Sequence, residues 1–260
     1  MAFQNEQFVL KNIEKKYGEN RALSSLSLCI QKGERIALIG PSGAGKSTLL
    51  NILAMIIQPD SGEYWLDGMT SSQYKAGKTL ARKVGIIRQQ FDLVPNLPVI
   101  HNVLAGRLGE WGFFRSALSF FIPQDKNMAI HALERVGLLE KVYEKTANLS
   151  GGQQQRIALA RLLVQRPEVI LADEPVASLD PARAEDIVSK LVQLVKEENQ
   201  TLITSLHSVE LATKYFDRII ALREGKIFFD LPTNEVTEYM LTDLYDLMEL
   251  REDEYESSIP

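Results

Sequence analysis

Gly40-Pro41-Ser42-Gly43-Ala44-Gly45-Lys46-Ser47 is a complete G-x-x-x-x-G-K-[ST] run, and what flanks it decides the fold. Before it, Arg35-Ile36-Ala37-Leu38-Ile39 is an apolar run of strand length that stops at Gly40. After it, Thr48-Leu49-Leu50-Asn51-Ile52-Leu53 reads as a helix starting at Ser47. Strand, glycine-rich turn and helix in that order make a phosphate cradle. Glycines let backbone N–H groups turn inward without a Cβ clash, and the helix start adds its positive dipole end. In such a loop Lys46 reaches the β- and γ-phosphates of a nucleotide and the Ser47 hydroxyl ligates Mg²⁺. The plainer reading, an ordinary glycine-rich turn, does not account for the strand and helix on either side.

The whole chain sets bounds on what surrounds this loop. Its 260 residues suffice for one large α/β domain, or for a domain with a smaller lobe. An apolar content of 45% and a charged content of 24% are those of an ordinary globular protein. Lys+Arg of 29 against Asp+Glu of 34 gives a net charge of -5, which offers no general affinity for nucleic acid or anionic lipid. No nucleic-acid partner is therefore expected. The N-terminal Met-Ala-Phe-Gln-Asn-Glu-Gln has no basic region leading into an apolar stretch, so it does not read as a secretory signal. No run of about 18 apolar residues occurs, so the chain is not expected to span a membrane by itself. A lone cysteine, Cys29, among Leu26, Leu28 and Ile30, reads as a buried structural thiol in a reducing compartment.

Taken in order, Phe8 to Ile30 alternates weakly and predicts short antiparallel strands. Tyr17 between them is a lone aromatic in polar surroundings; it either stacks on an adenine or caps the strand edge. Glu63-Tyr64-Trp65-Leu66 predicts a strand ending in a turn at Asp67-Gly68. Val84-Gly85-Ile86-Ile87 predicts a buried strand that runs into Gln89, a candidate contact to Mg²⁺ or to an attacking water. From Phe91 to Asn148 the pattern turns helical with no good strand, clearest over Asp125 to Val136, and predicts a helical lobe inserted into the α/β core. Within it Trp111 to Ile122 is unusually aromatic, either a local core or a docking patch.

The lobe ends in Leu149-Ser150-Gly151-Gly152-Gln153, directly before an apolar periodic helix, which predicts a second anion-binding helix start. Glu168 to Ala172 is a strand that delivers Asp173 and Glu174 at its C-terminal end. Neighbouring strand residues point to opposite sides, so the two carboxylates are expected to have different jobs: Asp173 in the Mg²⁺ shell, Glu174 polarising the attacking water. Asp180-Pro181 predicts a capped helix start, with Ala184, Ile187, Leu191, Leu194 and Val195 as its buried stripe. Thr201 to Leu206 is another core strand, ending at His207, a candidate hydrogen bond to a γ-phosphate. His101 and His131 read as surface residues. Arg218 to Phe229 carries a hairpin signal, and the tail from Thr233 is helical, ends acidic and offers no chemistry.

This ordered set resembles the ATPase subunit of ABC transporters over essentially the whole chain, with Leu149 to Gln153 as the most specific motif. The resemblance implies a P-loop NTPase (RecA-like) α/β core at 1–92 and 156–260. To it are joined an N-terminal antiparallel β-subdomain and an inserted α-helical subdomain at 93–155, ending in the signature motif. It implies roles as well. Gly40 to Thr48 bind ATP, Tyr17 stacks on the adenine, and Ser150, Gly151, Gly152, Gln153 and Asp180 complete the site of a second copy. Ser47, Gln89 and Asp173 attend Mg²⁺, while Glu174, His207, Lys46 and Gln89 serve hydrolysis. Partners then follow: an identical subunit, an integral membrane permease and, indirectly, an extracytoplasmic solute-binding protein, with the ATPase on the cytoplasmic face of the membrane.

A narrower resemblance, to the ATP-binding subunit of bacterial phosphonate importers, lies in Ala105-Gly106-Arg107-Leu108-Gly109 and in Val176-Ala177 after Asp173-Glu174-Pro175. Under it the cargo is a phosphonate or a related phosphorus oxyanion such as phosphite. An ABC exporter or lipid-extraction ATPase would share every nucleotide motif. A soluble ABC protein acting on DNA or ribosomes would need a coiled coil or second cassette that this length does not hold. A small-molecule P-loop kinase would lack Leu149 to Gln153.

Overall fold

The chain begins with two strands longer than its alternation suggests, β1 (Glu6–Tyr17) and β2 (Asn20–Gln31), paired antiparallel with Tyr17 opposite Asn20. Asn12 and Ser25 sit at φ 51 and 48 inside them and the register shifts between Leu10 and Ile13, so bulges break the alternation without ending the strands. The computed structural model describes residues 5–74, 77–88, 90–111, 113–119, 124–177 and 179–245. β3 (Arg35–Ile39) leads through the glycine loop to α1 (Lys46–Leu53). β4 (Ser61–Leu66) and β5 (Met69–Thr70) form the hairpin announced by Asp67-Gly68, which take φ 54 and 75 as a tight hairpin turn demands.

Next come α2 (Lys78–Lys83), β6 (Val84–Ile87), α3 (Val99–Leu104), α4 (Phe113–Ser119) and α5 (Lys126–Arg135). α6 (Gly151–Gln165) precedes β7 (Val169–Asp173), α7 (Pro181–Glu197), β8 (Thr201–Ser205) and α8 (Val209–Tyr215). β9 (Arg218–Arg223) and β10 (Lys226–Pro232) form the predicted hairpin, and residues 238–245 are helical. Among the described residues no helix is long and apolar enough to cross a membrane.

Two compact units divide the chain, Met1–Ser71 with Ile203–Pro260, and Ser72–Leu202. The first holds an antiparallel sheet in the order β2-β1-β4-β5, whose inner face buries Phe8 and Tyr64 with ring centroids 6.0 Å apart. It also holds the run β10-β9-β3-β8, in which β3 and β9 are parallel. Ile36, Leu38, Ile219 and Ile220 there are fully buried, which is why these strands read as continuous apolar runs. Arg218 ties β9 to its surroundings through Asp230 at 2.6 Å and Glu34 at 2.9 Å.

In the second unit β6 and β7 pair in parallel. α5 turns Ala129, Ala132, Leu133 and Val136 inward, as its periodicity predicts. α7 likewise buries Ala184, Ile187, Leu191, Leu194 and Val195. Each larger side chain so buried contributes about 2 kcal/mol. The aromatic block splits: Trp111 is buried with the Arg115 guanidinium 5.1 Å from its ring, whereas Phe114 on α4 is 87% exposed. Phe120, Phe121 and Ile122 lie outside the described residues.

Candidate functional site

In the first unit, Ile36 to Ile39 are wholly buried and fix the point where the loop begins. At Gly40 the backbone turns at φ 138 and runs so close to β9 that a Cβ would sit 2.1 Å from the Leu222 carbonyl oxygen. Only glycine fits there. Gly45, at φ 102, is the N-cap of α1 and supplies no capping side chain, so no side-chain oxygen masks the positive helix end. The loop is braced by Ala44 N–H donating to Pro41 O at 3.2 Å and by Gly225 N–H donating to Ala44 O at 3.2 Å.

Lys46 is only 5% exposed, and its Nζ donates to Gly40 O at 2.7 Å and Pro41 O at 3.0 Å. These neutral acceptors hold the ammonium inside the curve of the loop, where a phosphate oxygen would make a stronger, charge-assisted bond. Ser42, Gly43 and Ser47 are exposed around it, and Thr48 is half-buried. The residues present thus fit a phosphate group: a buried cation, an uncapped helix start and an open rim. Tyr17, at the end of β1, is 52% exposed with Lys15 Nζ 5.8 Å from its ring centroid. His207 is exposed just after β8, and the Ser208 side chain beside it accepts from Leu211 N–H at 3.2 Å to cap α8.

In the second unit, Ser150 caps α6. Its Oγ accepts from Gln153 N–H at 3.4 Å while Gln153 Oε1 accepts from Ser150 N–H at 3.0 Å, a complete capping box. The S-x-x-Q spacing carries that signal, yet reading Ser150 to Gln153 only as anion ligands passes over it. A Cβ on Gly151 or Gly152 would meet nothing within 4 Å, so this helix start faces open space. Gln154 Nε2 donates to Leu149 O at 3.1 Å and steadies the approach.

Asp173 closes β7, but Glu174 is not the next residue of a strand: it lies beyond it at φ 46, half-buried, with Pro175 following. The backbone at Glu174 enters the left-handed region, a strained state for glutamate, so strand alternation does not set its direction. Asp180 caps α7 by accepting from Arg183 N–H at 3.1 Å. Gln89 lies outside the described residues, as does Ser178.

The sequence gives no hint of Arg161. It projects from the apolar run of α6 and donates to Phe91 O at 2.8 Å and Asp92 O at 2.9 Å, two consecutive left-handed residues just after Gln89. Burial, its largest influence, pulls this guanidinium below its ordinary range, with Asp92 opposing the shift. An arginine on a helix face is a common surface residue, so only the fold reveals that it grips this segment.

Comparison with known proteins follows the same lines. Residues 23–177 match the family described as ABC transporter. The phosphonates import ATP-binding protein PhnC of Pseudomonas putida is 43% identical over 247 residues, 94% of this chain and 92% of that protein. The dimeric structure of MJ0796, a bacterial ABC transporter cassette, is 33% identical with a TM-score of 0.75, covering 87% of this chain and 98% of the other. The same cassette in a post-hydrolysis state bound to ADP and Pi is 32% identical with a TM-score of 0.73, over 87% and 98% of the two chains.

Proposed function

The chain belongs to the ABC transporter ATPase family, and from that premise we propose that it binds and hydrolyses ATP to drive uptake of a phosphonate, or of a related phosphorus oxyanion such as phosphite, through a membrane permease. Lys46 carries the assignment: a buried ammonium held by the Gly40 and Pro41 carbonyls, inside a loop that fits phosphate. The names of the similar import proteins support the cargo.

Lys46 turns from those carbonyls to the β- and γ-phosphate oxygens, and the amides at the start of α1 face the same anion. Tyr17 stacks on the adenine. Ser47, Gln89 and Asp173 would hold Mg²⁺, which would supply positive charge against the phosphate oxygens during transfer. Glu174 takes the proton of the attacking water, and His207 hydrogen-bonds the γ-phosphate.

Ser150 to Gln153 have a cap of their own and no lysine, so they serve the phosphate of a second copy bound head to tail, with Asp180 linking the two sites. The dimeric form of the MJ0796 cassette supports that pairing. The helical lobe at 93–155 and Gln89 carry opening and closing to the permease at the cytoplasmic face of the membrane, with a solute-binding protein acting from the other side. ATPase turnover of the reconstituted permease complex tests this. It should rise when binding protein loaded with a phosphonate is added and stay flat with unloaded binding protein; no rise with any phosphorus oxyanion removes the assigned cargo.

A further inference from the structure

α6 carries the Ser150 box at its start and, about three turns further on, Arg161. A Cβ on Gly106 would sit 2.4 Å from the Arg161 carbonyl oxygen, so the helix backbone is pressed against that segment and Arg161 has a fixed root. One turn later, Gln165 Nε2 donates to Ala81 O at 2.8 Å and to Val84 O at 3.0 Å, where β6 begins. A Cβ on Gly85 would lie 2.6 Å from Leu162 Cδ2, so strand and helix are in direct contact. The same helix holds both ends of β6, with Gln165 at its start and Arg161 just past its end.

What Arg161 holds is strained. Beyond β6, Phe91 N–H donates to Arg88 O at 2.9 Å and Asp92 N–H donates to Gln90 O at 2.7 Å, closing a tight turn that spans position 89. Phe91 and Asp92 both take left-handed backbone, at φ 55 and 47, which costs residues other than glycine. Arg161 Nη2 donates to Phe91 O at 2.8 Å and Nη1 to Asp92 O at 2.9 Å, so one guanidinium fork grips both carbonyls. Arg88 Nη1 adds a looser hold, 3.3 Å from the Asp92 carboxylate. Such a turn persists only where its surroundings over-determine it, and these turns cluster at functional sites.

We propose that Arg161 is a positioning residue for Gln89. It clamps to α6 the turn that carries Gln89, so that Gln89, serving its own copy's nucleotide, and the Ser150 helix start, serving the other copy's, are placed by one helix. This rests on the reading of Gln89 as a contact to Mg²⁺ or to the attacking water, and adds to it the residue that holds its backbone.

Arg161→Met keeps much of the side chain's length and removes both bonds; Arg161→Lys keeps the charge but cannot fork, so it should lose less. In calorimetry on the single chain, ATP affinity without Mg²⁺ should stay at the wild-type value in both, because Lys46 and its loop are untouched. The tightening that Mg²⁺ adds should shrink about threefold to tenfold in Arg161→Met. Turnover per folded chain should fall about tenfold to a hundredfold, as for a group misplaced by about 1 Å. Combining Arg161→Met with Gln89→Ala decides the route: the double variant should be no worse than Gln89→Ala alone. Losses that multiply overturn the proposal, as does an equal loss of ATP affinity with and without Mg²⁺, which marks a purely structural arginine. If Arg161→Met does not fold, Arg161→Lys carries the same cycle. Wild-type turnover in Gln89→Ala overturns the reading of Gln89 and with it this role, whereas wild-type turnover in Arg161→Met beside an impaired Gln89→Ala overturns this role alone.

Discussion

Among the described residues, two helices start from a glycine-rich turn, and they differ in what occupies the start. α1 begins at Gly45 with no capping side chain and with Lys46 buried against the loop carbonyls. α6 begins at Ser150, closed by a reciprocal box with Gln153, and has no basic residue in the same turn. Both present amides and a dipole end to an anion. Only the first adds a full positive charge inside the curve of its own loop. The first should therefore hold phosphate alone, and the second should add to a phosphate that something else holds.

Lys46→Ala strikes that difference hardest. Truncating a buried group that makes charge-assisted bonds should weaken ATP binding on the order of 10²-fold, read by titration calorimetry on the single chain. Ser150→Ala in the same titration should leave affinity at the wild-type value. If both variants lose binding equally, the two helix starts are not different in kind. Glu174→Gln separates binding from chemistry: affinity stays, and turnover falls about 10²-fold or more with the loss of a general base. Near-normal turnover removes Glu174 from the reaction.

Mixing chains sharpens the comparison further. A Lys46→Ala chain keeps an intact Ser150 to Gln153, and a Ser150→Arg chain keeps an intact phosphate loop. Each alone should be nearly inactive. In a one-to-one mixture they should regain about a quarter of the wild-type single-turnover hydrolysis, because about half of the dimers are mixed and one of the two composite sites in each of those is whole. No gain over the parents would mean that each chain completes its own site.

The buried strands were legible because Ile36 to Ile39 of β3, Val169 to Ala172 of β7 and Leu202 and Ile203 of β8 are buried, so each strand reads as an apolar run rather than an alternation. β1 and β2 were harder. Their bulges at Asn12 and Ser25 interrupt the alternation that marks a strand, so twelve-residue elements look like short ones. Glu174 follows an apolar strand, which flags it as chemical, but its left-handed turn depends on tertiary packing and leaves no mark in the composition. Arg161 was illegible for a related reason: it holds a backbone distant in sequence, and only folding brings the two together.

The smallest expected effect concerns the box that closes α6. Ser150→Ala removes the cap from Gln153 N–H and should cost about 1 kcal/mol, a fall of roughly 2–4 °C in melting temperature for a chain of this size. Ser150→Thr keeps the oxygen and should restore most of it. Gln153→Ala removes the return bond, and because the two bonds share one turn, the double variant should cost less than the sum of the singles. ATP-driven pairing of two copies, followed by light scattering, gives the second reading. Ser150 Oγ accepts from Gln153 N–H, which leaves its own O–H as a donor toward a phosphate. Ser150→Ala should then weaken pairing more than its loss of stability accounts for, and Ser150→Thr should not. If the two variants track stability alone, Ser150 is a helix cap and the phosphate contact falls to the amides of Gly151 and Gly152.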